Sequence, residues 1–486
     1  MKITNTIKGT ALVAVLALSF TACKKDKKEA PVEELKTEAV YGSAAGAETL
    51  CLAEASWFPH SQTPAPEEGK GSPFDVKSTT NCIFHQWSYQ KFLWVTKPEG
   101  DVPLFLDQKQ ITQVNDAMIP VAQQTGANVV LTDTIQAGFR HGVLKTNPAY
   151  NSEVNKAFTV HYSIHVSDIM LKAANDFKAA LVSGKLEADN LATFPVGSLE
   201  LKVSWVDVKA IAKDKVANYY TTTAAKLNKD GKTYTNTTVA FLGMHVVGVV
   251  ENHPEFIWAT FEHNDMAPNY DWVANSASSK TDKLLFAKGT TTGLDGITFI
   301  KDDKPVLPSK AYDLFQYGVP RDSTGVLKNT SQTEPANFNH IKEINKSVAK
   351  QLKDVWKNYF YNGSIWIDTD SLTPKQQAQK IVDLGGAIGS ATPGSSARGS
   401  LNCANVTMET FTQTFQDDIS KIKVSNLANC FSCHNPVSYA GNTSPIYLSH
   451  IFDKFIETNQ GKTDKEVELM KDTQQRKMET FLRSMN

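Results

Sequence analysis

Leu199-Glu200-Leu201-Lys202-Val203-Ser204-Trp205 alternates apolar and polar residues. Successive side chains of a strand point to opposite faces, so this period of two predicts a half-buried β-strand. The theme continues through Asn218 to Thr223, Thr237 to Val250, and Glu255-Phe256-Ile257-Trp258-Ala259-Thr260-Phe261-Glu262-His263. Short polar turns such as Asn228-Lys229-Asp230-Gly231 join these segments, and together they predict an antiparallel sheet over about residues 198–300. On either side the period lengthens. Phe84, Trp87, Lys91 and Trp94 recur at helical spacing between Phe84 and Val95. Ile169, Ala173, Phe177 and Leu181 share one face of a helix expected from Asp168 to Val182, with Ser167 as its cap and Gly184 as its stop. Ile344, Val348, Leu352 and Trp356 are in register along a helix expected from Ile341 to Phe360, ending near Asn362-Gly363. Gly385 to Gly399 reads as a loop or linker, and Thr407 to Lys423 and Asp464 to Arg483 read as the last helices. The fold class expected is α+β: an antiparallel sheet body with flanking helices and a mainly helical C-terminal region.

The chain has 486 residues, 41% of them hydrophobic, enough for a sizeable core and two or three domains. Fifty basic residues nearly cancel fifty-one acidic ones, leaving a net charge of −1. There is no basic excess to engage nucleic acid and no acidic tail.

The N-terminus carries Lys2 and Lys8, an apolar stretch from Ala11 to Phe20, then small residues and Cys23. This pattern is an export signal. Phe20-Thr21-Ala22-Cys23 resembles the lipobox of bacterial lipoproteins. That resemblance implies cleavage before Cys23, acylation of its sulfur and stable attachment to a membrane. An ordinary secretory signal cleaved near Ala22 is the plainer alternative. Residues 24–50 are charged and then rich in Ala, Glu, Pro and Gly, as in a tether. The organisation expected is a signal over 1–22, a tether over 23–50, an α+β body over 51–385 and a separate C-terminal region over 386–486. By resemblance to the known sorting of such lipoproteins, Lys24 after the lipid-bearing cysteine implies the outer membrane rather than the inner, facing the periplasm or the cell surface.

Cys430-Phe431-Ser432-Cys433-His434 is the strongest chemical signal. Two cysteines three apart sit on one helical turn and can each form a thioether to one vinyl group of a haem. The next residue delivers an imidazole to the iron. One covalent haem c per chain is expected, held by Cys430 and Cys433 with His434 as proximal ligand. A redox dithiol, or a zinc site of Cys403, Cys430, Cys433 and His434, is the competing reading. Export weighs against zinc, because oxidation competes for the thiols, and it suits haem attachment outside the cytoplasm. Cys51 and Cys82 could form a disulfide, and Cys403 could pair with either.

The surroundings resemble class I cytochromes c in part. A helix precedes the motif, another follows it, and Pro445 lies eleven residues after His434. The resemblance implies that the Pro445 carbonyl orients the proximal imidazole. The chain departs from that family in the distal ligand, since Met470 and Met478 fall inside the last helix. His450 is a third candidate. Met244-His245-Val246-Val247-Gly248, Trp258-Ala259-Thr260-Phe261-Glu262, Phe84-His85-Gln86-Trp87, Glu200-Leu201-Lys202-Val203-Ser204-Trp205, Val355-Trp356-Lys357-Asn358-Tyr359 and Met408-Glu409-Thr410-Phe411-Thr412-Gln413 also look like a family of bacterial cytochrome-c-like proteins. That resemblance covers most of residues 80–440 and implies architecture, with no assigned activity.

His245 and His263 lie on strands expected to be neighbours, with Glu262 and Glu255 close in sequence. Histidines beside carboxylates can move protons, so His245, His263 and Glu262 are the candidate catalytic residues. Buried, hydrogen-bonded core histidines are the plainer alternative, and His85 on its aromatic helix is expected to be structural. Two functions follow. One is a monohaem redox protein working with a partner protein, or as a haem-dependent oxidoreductase. The other is a non-catalytic ligand- or partner-binding lipoprotein whose haem is structural or sensory.

Overall fold

The strand expected at Leu199 is an inner strand of a much wider sheet. The computed structural model describes residues 50–135, 143–267, 280–288, 299–301, 304–306, 337–385, 396–399, 405–409 and 430–484. The sheet's strands are β1 (Ile111–Val114), β2 (Val129–Leu131), β3 (Val160–Ser167), β4 (Leu199–Asp207), β5 (Thr221–Leu227), β6 (Tyr234–Val250), β7 (His253–His263), β8 (Tyr359–Ile367) and β9 (Ala397–Gly399). Their order is β9-β8-β7-β6-β4-β3-β1, with every pair antiparallel. β5 pairs antiparallel with the first half of β6, and β2 adds to β5 in parallel. The 17 residues of β6 make this possible, because one long strand serves β5, β4 and β7 in turn.

Helices α1 (Asn81–Thr96) and α3 (Asn337–Gln351) cover one face. Leu199, Leu201, Val203, Met244, Val246, Ile257, Ala259 and Phe261 meet Phe84, Phe92, Ile344, Val348 and Trp356 there. Phe92 stacks on Phe261 with ring centres 4.0 Å apart. Gly248 is required at this contact, since a Cβ would lie 2.8 Å from the Trp87 ring. A disulfide between Cys51 and Cys82 ties the start of the described chain to α1.

The second face carries α2 (Asp168–Val182), whose N-cap is Ser167 as expected. Helix α4 (Pro374–Leu384) also packs here, as do α5 (Cys430–Cys433) and α6 (His450–Thr458), and α7 (Asp464–Ser484) lies against α5 and α6. Val247, Trp258 and Ile365 of the sheet join Met170, Phe431, Ile446, Tyr447, Leu448 and Phe452 in a second core. Thr49–Asn486 forms one compact unit, so the Cys-x-x-Cys-His segment lies directly on the sheet.

Several expectations change. The helix expected from Ile341 to Phe360 stops at Gln351, a short 3-10 turn covers Val355–Asn358, and Tyr359–Ile367 is a strand. Every residue of that strand is buried, which suits an aromatic and β-branched run between two layers better than a helix with one wet side. Gly363 is therefore no helix stop. It lies opposite Thr260, where the register shifts. The sheet extends beyond 198–300 on both sides, because β1, β3, β8 and β9 complete it. The expected Gly385–Gly399 loop ends in β9, and its residues 386–395 lie outside the described residues. The helix expected from Thr407 begins in a turn at 405–409, and 410–429 lie outside the described residues, as do the signal, Cys23 and the tether up to residue 49. Among the described residues no helix is long and apolar enough to cross a membrane.

Candidate functional site

The Cys-x-x-Cys-His motif forms a single helical turn. His434 extends it, donating its backbone N–H to the Cys430 carbonyl at 2.8 Å. Cys430, Cys433 and His434 are half-buried, while Phe431 between them is fully buried against the sheet. The His434 Nδ1–H donates to the Leu448 carbonyl at 2.9 Å. A carbonyl only accepts, so this bond fixes the proton on Nδ1 and leaves Nε2 with its lone pair. Burial pushes the His434 imidazole down to about 4, against the opposing pull of the Leu448 carbonyl. At neutral pH the ring is neutral, the form that ligates iron.

The orienting carbonyl is not that of Pro445. Pro445–Leu448 winds into a 3-10 turn capped by Ser444, and the last carbonyl of that turn, three residues on, reaches the imidazole. His450 opens α6 beside it, with its ring centre 4.1 Å from that of His434 and nearly parallel. Its Nε2–H donates to the Cys433 carbonyl at 3.0 Å. Burial first, then the neighbouring His434, holds His450 well below the usual histidine range. Met470 is half-buried on α7, and the side chain of Met478 lies outside the described residues.

The sheet presents a polar row to this segment. Lys202 of β4, His245 of β6 and Thr260 of β7 are cross-strand partners. In the adjacent row, Trp258 places its ring 4.3 Å from that of His434. His245 is held at both nitrogens: Nδ1 is 2.8 Å from Thr260 Oγ1, and Nε2 is 2.8 Å from Glu409 Oε1. Lys202 Nζ stands 3.9 Å from the same Glu409 oxygen, and the Asn405 N–H donates to the other at 2.7 Å. Burial alone would raise the Glu409 carboxyl, but His245, Lys202 and the Asn405 N–H outweigh it and hold it below the usual range. Burial lowers the Lys202 ammonium. Lys202, Glu409 and His245 all bear electrostatically on His434. Gly243 allows this approach, because a Cβ there would lie 2.7 Å from the Asn405 side chain and 2.8 Å from the Phe261 carbonyl.

His263 is not part of this group. Residues alternate along β7, so Thr260 and Glu262 share one face while Phe261 and His263 share the other. His263 stacks on Tyr219 at 3.7 Å, donates from Nε2 to the Asn218 carbonyl and accepts the Asp265 N–H at Nδ1. Both nitrogens are satisfied, and burial lowers the ring to about 4. Glu262 is fully buried, and its carboxyl oxygen accepts the Val406 N–H at 3.1 Å. Burial raises Glu262 to about 8, which fits an anchor for the 405–409 turn. His85 hydrogen-bonds Tyr361 within the aromatic core, as expected of a structural residue.

Sequence reasoning missed Lys202, Glu200, Glu409 and Ser449. Lys202 and Glu200 occupy the polar positions of an alternating strand, which normally face water. Here the C-terminal segment covers that face. Burial raises Glu200 to about 7, while the Ser449 hydroxyl donates to it at 2.9 Å and opposes the rise. The chain gives no local sign of that covering. Cys403 of the competing zinc set lies outside the described residues. Among the described residues, no group of three or more His, Cys, Asp or Glu side chains could hold a metal ion. No protein-family model matches the chain, and no curated protein or solved structure matches it either.

Proposed function

We propose that this chain is an exported, lipid-anchored, monohaem c-type cytochrome-like protein that transfers electrons to or from a partner protein, or couples them to chemistry on the sheet face beside the motif. Cys430 and Cys433 would hold the haem through thioethers, and His434 Nε2 would ligate the iron. When bound, the haem supplies a one-electron couple and, if a coordination position is open, a place for a small ligand. The observation that carries the reading is the bond from His434 Nδ1 to the Leu448 carbonyl, which leaves Nε2 available in a neutral ring.

Further points support it. The Cys51–Cys82 disulfide suits an oxidising compartment, in line with the export signal. Trp258 packs against His434 and excludes water from that side of the imidazole. His245 can hold a proton near the motif. As a neutral ring it donates from Nε2 to Glu409 and accepts the Thr260 hydroxyl at Nδ1. The ring thereby links the Thr260 hydroxyl to the Glu409 carboxylate. His245 is thus the residue most suited to proton transfer coupled to an electron, and Glu262 and His263 have structural tasks. The lipobox resemblance at Cys23 and the Lys24 that follows it support an envelope location, with the outer membrane favoured.

The test is expression with a haem-ligation system, followed by a pyridine haemochrome assay and spectra of both redox states. One haem per chain that is reversibly reduced is expected. A low-spin spectrum supports transfer, and uptake of carbon monoxide points to catalysis or sensing. Protein that stays colourless would rule the reading out.

A further inference from the structure

We infer that Glu200 is a positioning residue for the proximal histidine, acting through Ser449 to fix the Leu448 carbonyl that orients His434. The inference rests on the haem reading above. It concerns three consecutive residues, each tied to a different part of the site. The Leu448 carbonyl accepts from His434 Nδ1 at 2.9 Å. The Ser449 hydroxyl donates to Glu200 Oε2 at 2.9 Å. His450 Nε2 donates to the Cys433 carbonyl at 3.0 Å. The link to Glu200 joins this tripeptide to a sheet strand, and that strand is paired along its length with β3 and β6.

The rest of the 3-10 turn is held at its other end. Ser444 donates to Asn190 at 2.7 Å, and Thr443 bonds Asp189 through its N–H and its hydroxyl. The Tyr447 hydroxyl donates to the Ala188 carbonyl at 3.1 Å. Loss of the Glu200 contact would therefore leave the start of the turn in place and remove the side-chain tether between the sheet strand and the residue after the Leu448 carbonyl. The Ser449 side chain would keep only its weak capping contact, in which Oγ accepts the Phe452 N–H at 3.4 Å, while its carbonyl still accepts the Asp453 N–H at 3.0 Å. A carbonyl held on Nδ1–H makes an imidazole a stronger donor to a metal, and outer groups of this kind tune a site without touching it. The charged groups that bear on Glu200 are Lys202 on its own strand and His245 on β6, and Glu200 in turn bears on Tyr439 beyond the motif.

The test compares holoprotein carrying Glu200→Ala, Glu200→Gln and Ser449→Ala, reading haem content and midpoint potential. Glutamine keeps an oxygen that accepts the Ser449 hydroxyl and removes the charge. Haem content of one per chain in all three, with the potential raised in Glu200→Ala and Ser449→Ala and close to native in Glu200→Gln, is expected. The Glu200→Ala/Ser449→Ala pair should shift no further than either single variant, because both remove the same link. Native potentials in both alanine variants would overturn the inference, with the haem reading intact. So would equal shifts in Glu200→Ala and Glu200→Gln beside an unshifted Ser449→Ala, which mark a charge effect. Absence of haem from the native chain would instead remove the reading on which the inference stands.

Discussion

The Leu448 carbonyl oxygen lies 2.9 Å from His434 Nδ1, 14 residues further along the chain. That contact selects one tautomer of one imidazole and points the remaining lone pair away from the sheet-bound turn. It also shows how the fold serves the motif. The turn that provides the carbonyl packs Ile446, Tyr447 and Leu448 onto Val247 and Trp258, so the sheet sets where the imidazole stands.

His245→Ala removes the partner of Glu409 at 2.8 Å and leaves a half-buried carboxylate facing Lys202 at 3.9 Å. Stability should fall by about 1–3 kcal/mol, the range for stranding a buried hydrogen-bonded group. His245→Gln keeps a donor toward Glu409 and should cost less. Urea unfolding at pH 7 measures both. A native midpoint in His245→Ala would show that Glu409 does not depend on this ring.

Glu262 is raised from the ordinary 4.5 to about 8 by burial. Below the ordinary value both folded and unfolded chains carry the proton, and its buried site costs nothing extra. As pH rises from 4.5 to 8 the unfolded chain ionises while the folded one still holds the proton, so stability is lost across that window, on the order of a few kcal/mol. Glu262→Gln keeps an acceptor for the Val406 N–H at 3.1 Å and cannot ionise. Relative to native, it should gain stability between pH 5 and pH 8. A difference that stays constant over that range would contradict the burial argument.

How far the sequence could be read depends on the range of the forces involved. The alternation at Leu199–Trp205 and the face of Asp168–Val182 are local patterns, and both elements stand where expected. The helix expected from Ile341 runs on to Phe360 because the helical register of Ile344, Val348, Leu352 and Trp356 continues past the real helix end at Gln351. All four are buried against the same core, but Trp356 gets there from a 3-10 turn. At the site, His434 and His245 were legible from their motifs. Glu409 was not, because its role depends on a contact 164 residues away in sequence. His263 was grouped with His245 by proximity along the chain, and strand parity separates them.

Cys51 and Cys82 close a loop with a sequence separation of 31. By the chain-entropy estimate such a loop contributes about 3–4 kcal/mol. Cys51→Ser/Cys82→Ser should lower the unfolding midpoint by that order, and reductant should do the same to the native chain. A reductant-insensitive midpoint would mean that the bond adds nothing to stability.

Gly243→Ala places a methyl group 2.7 Å from the Asn405 side chain and 2.8 Å from the Phe261 carbonyl. Backbone cannot yield cheaply, so about 1–3 kcal/mol should be lost, with the 405–409 turn displaced from His245. Thermal unfolding gives the cost. A variant as stable as native would show that the turn moves freely.

Covalent capture of one haem by Cys430 and Cys433 is best tested on the intact mass of mature protein made with a haem-ligation system, after denaturation and acid-acetone extraction. The native chain should keep the mass of one haem, and Cys430→Ala/Cys433→Ala should lose it while the sheet body stays folded. A native chain with no added mass, or a double variant that keeps it, would contradict the assignment of the motif.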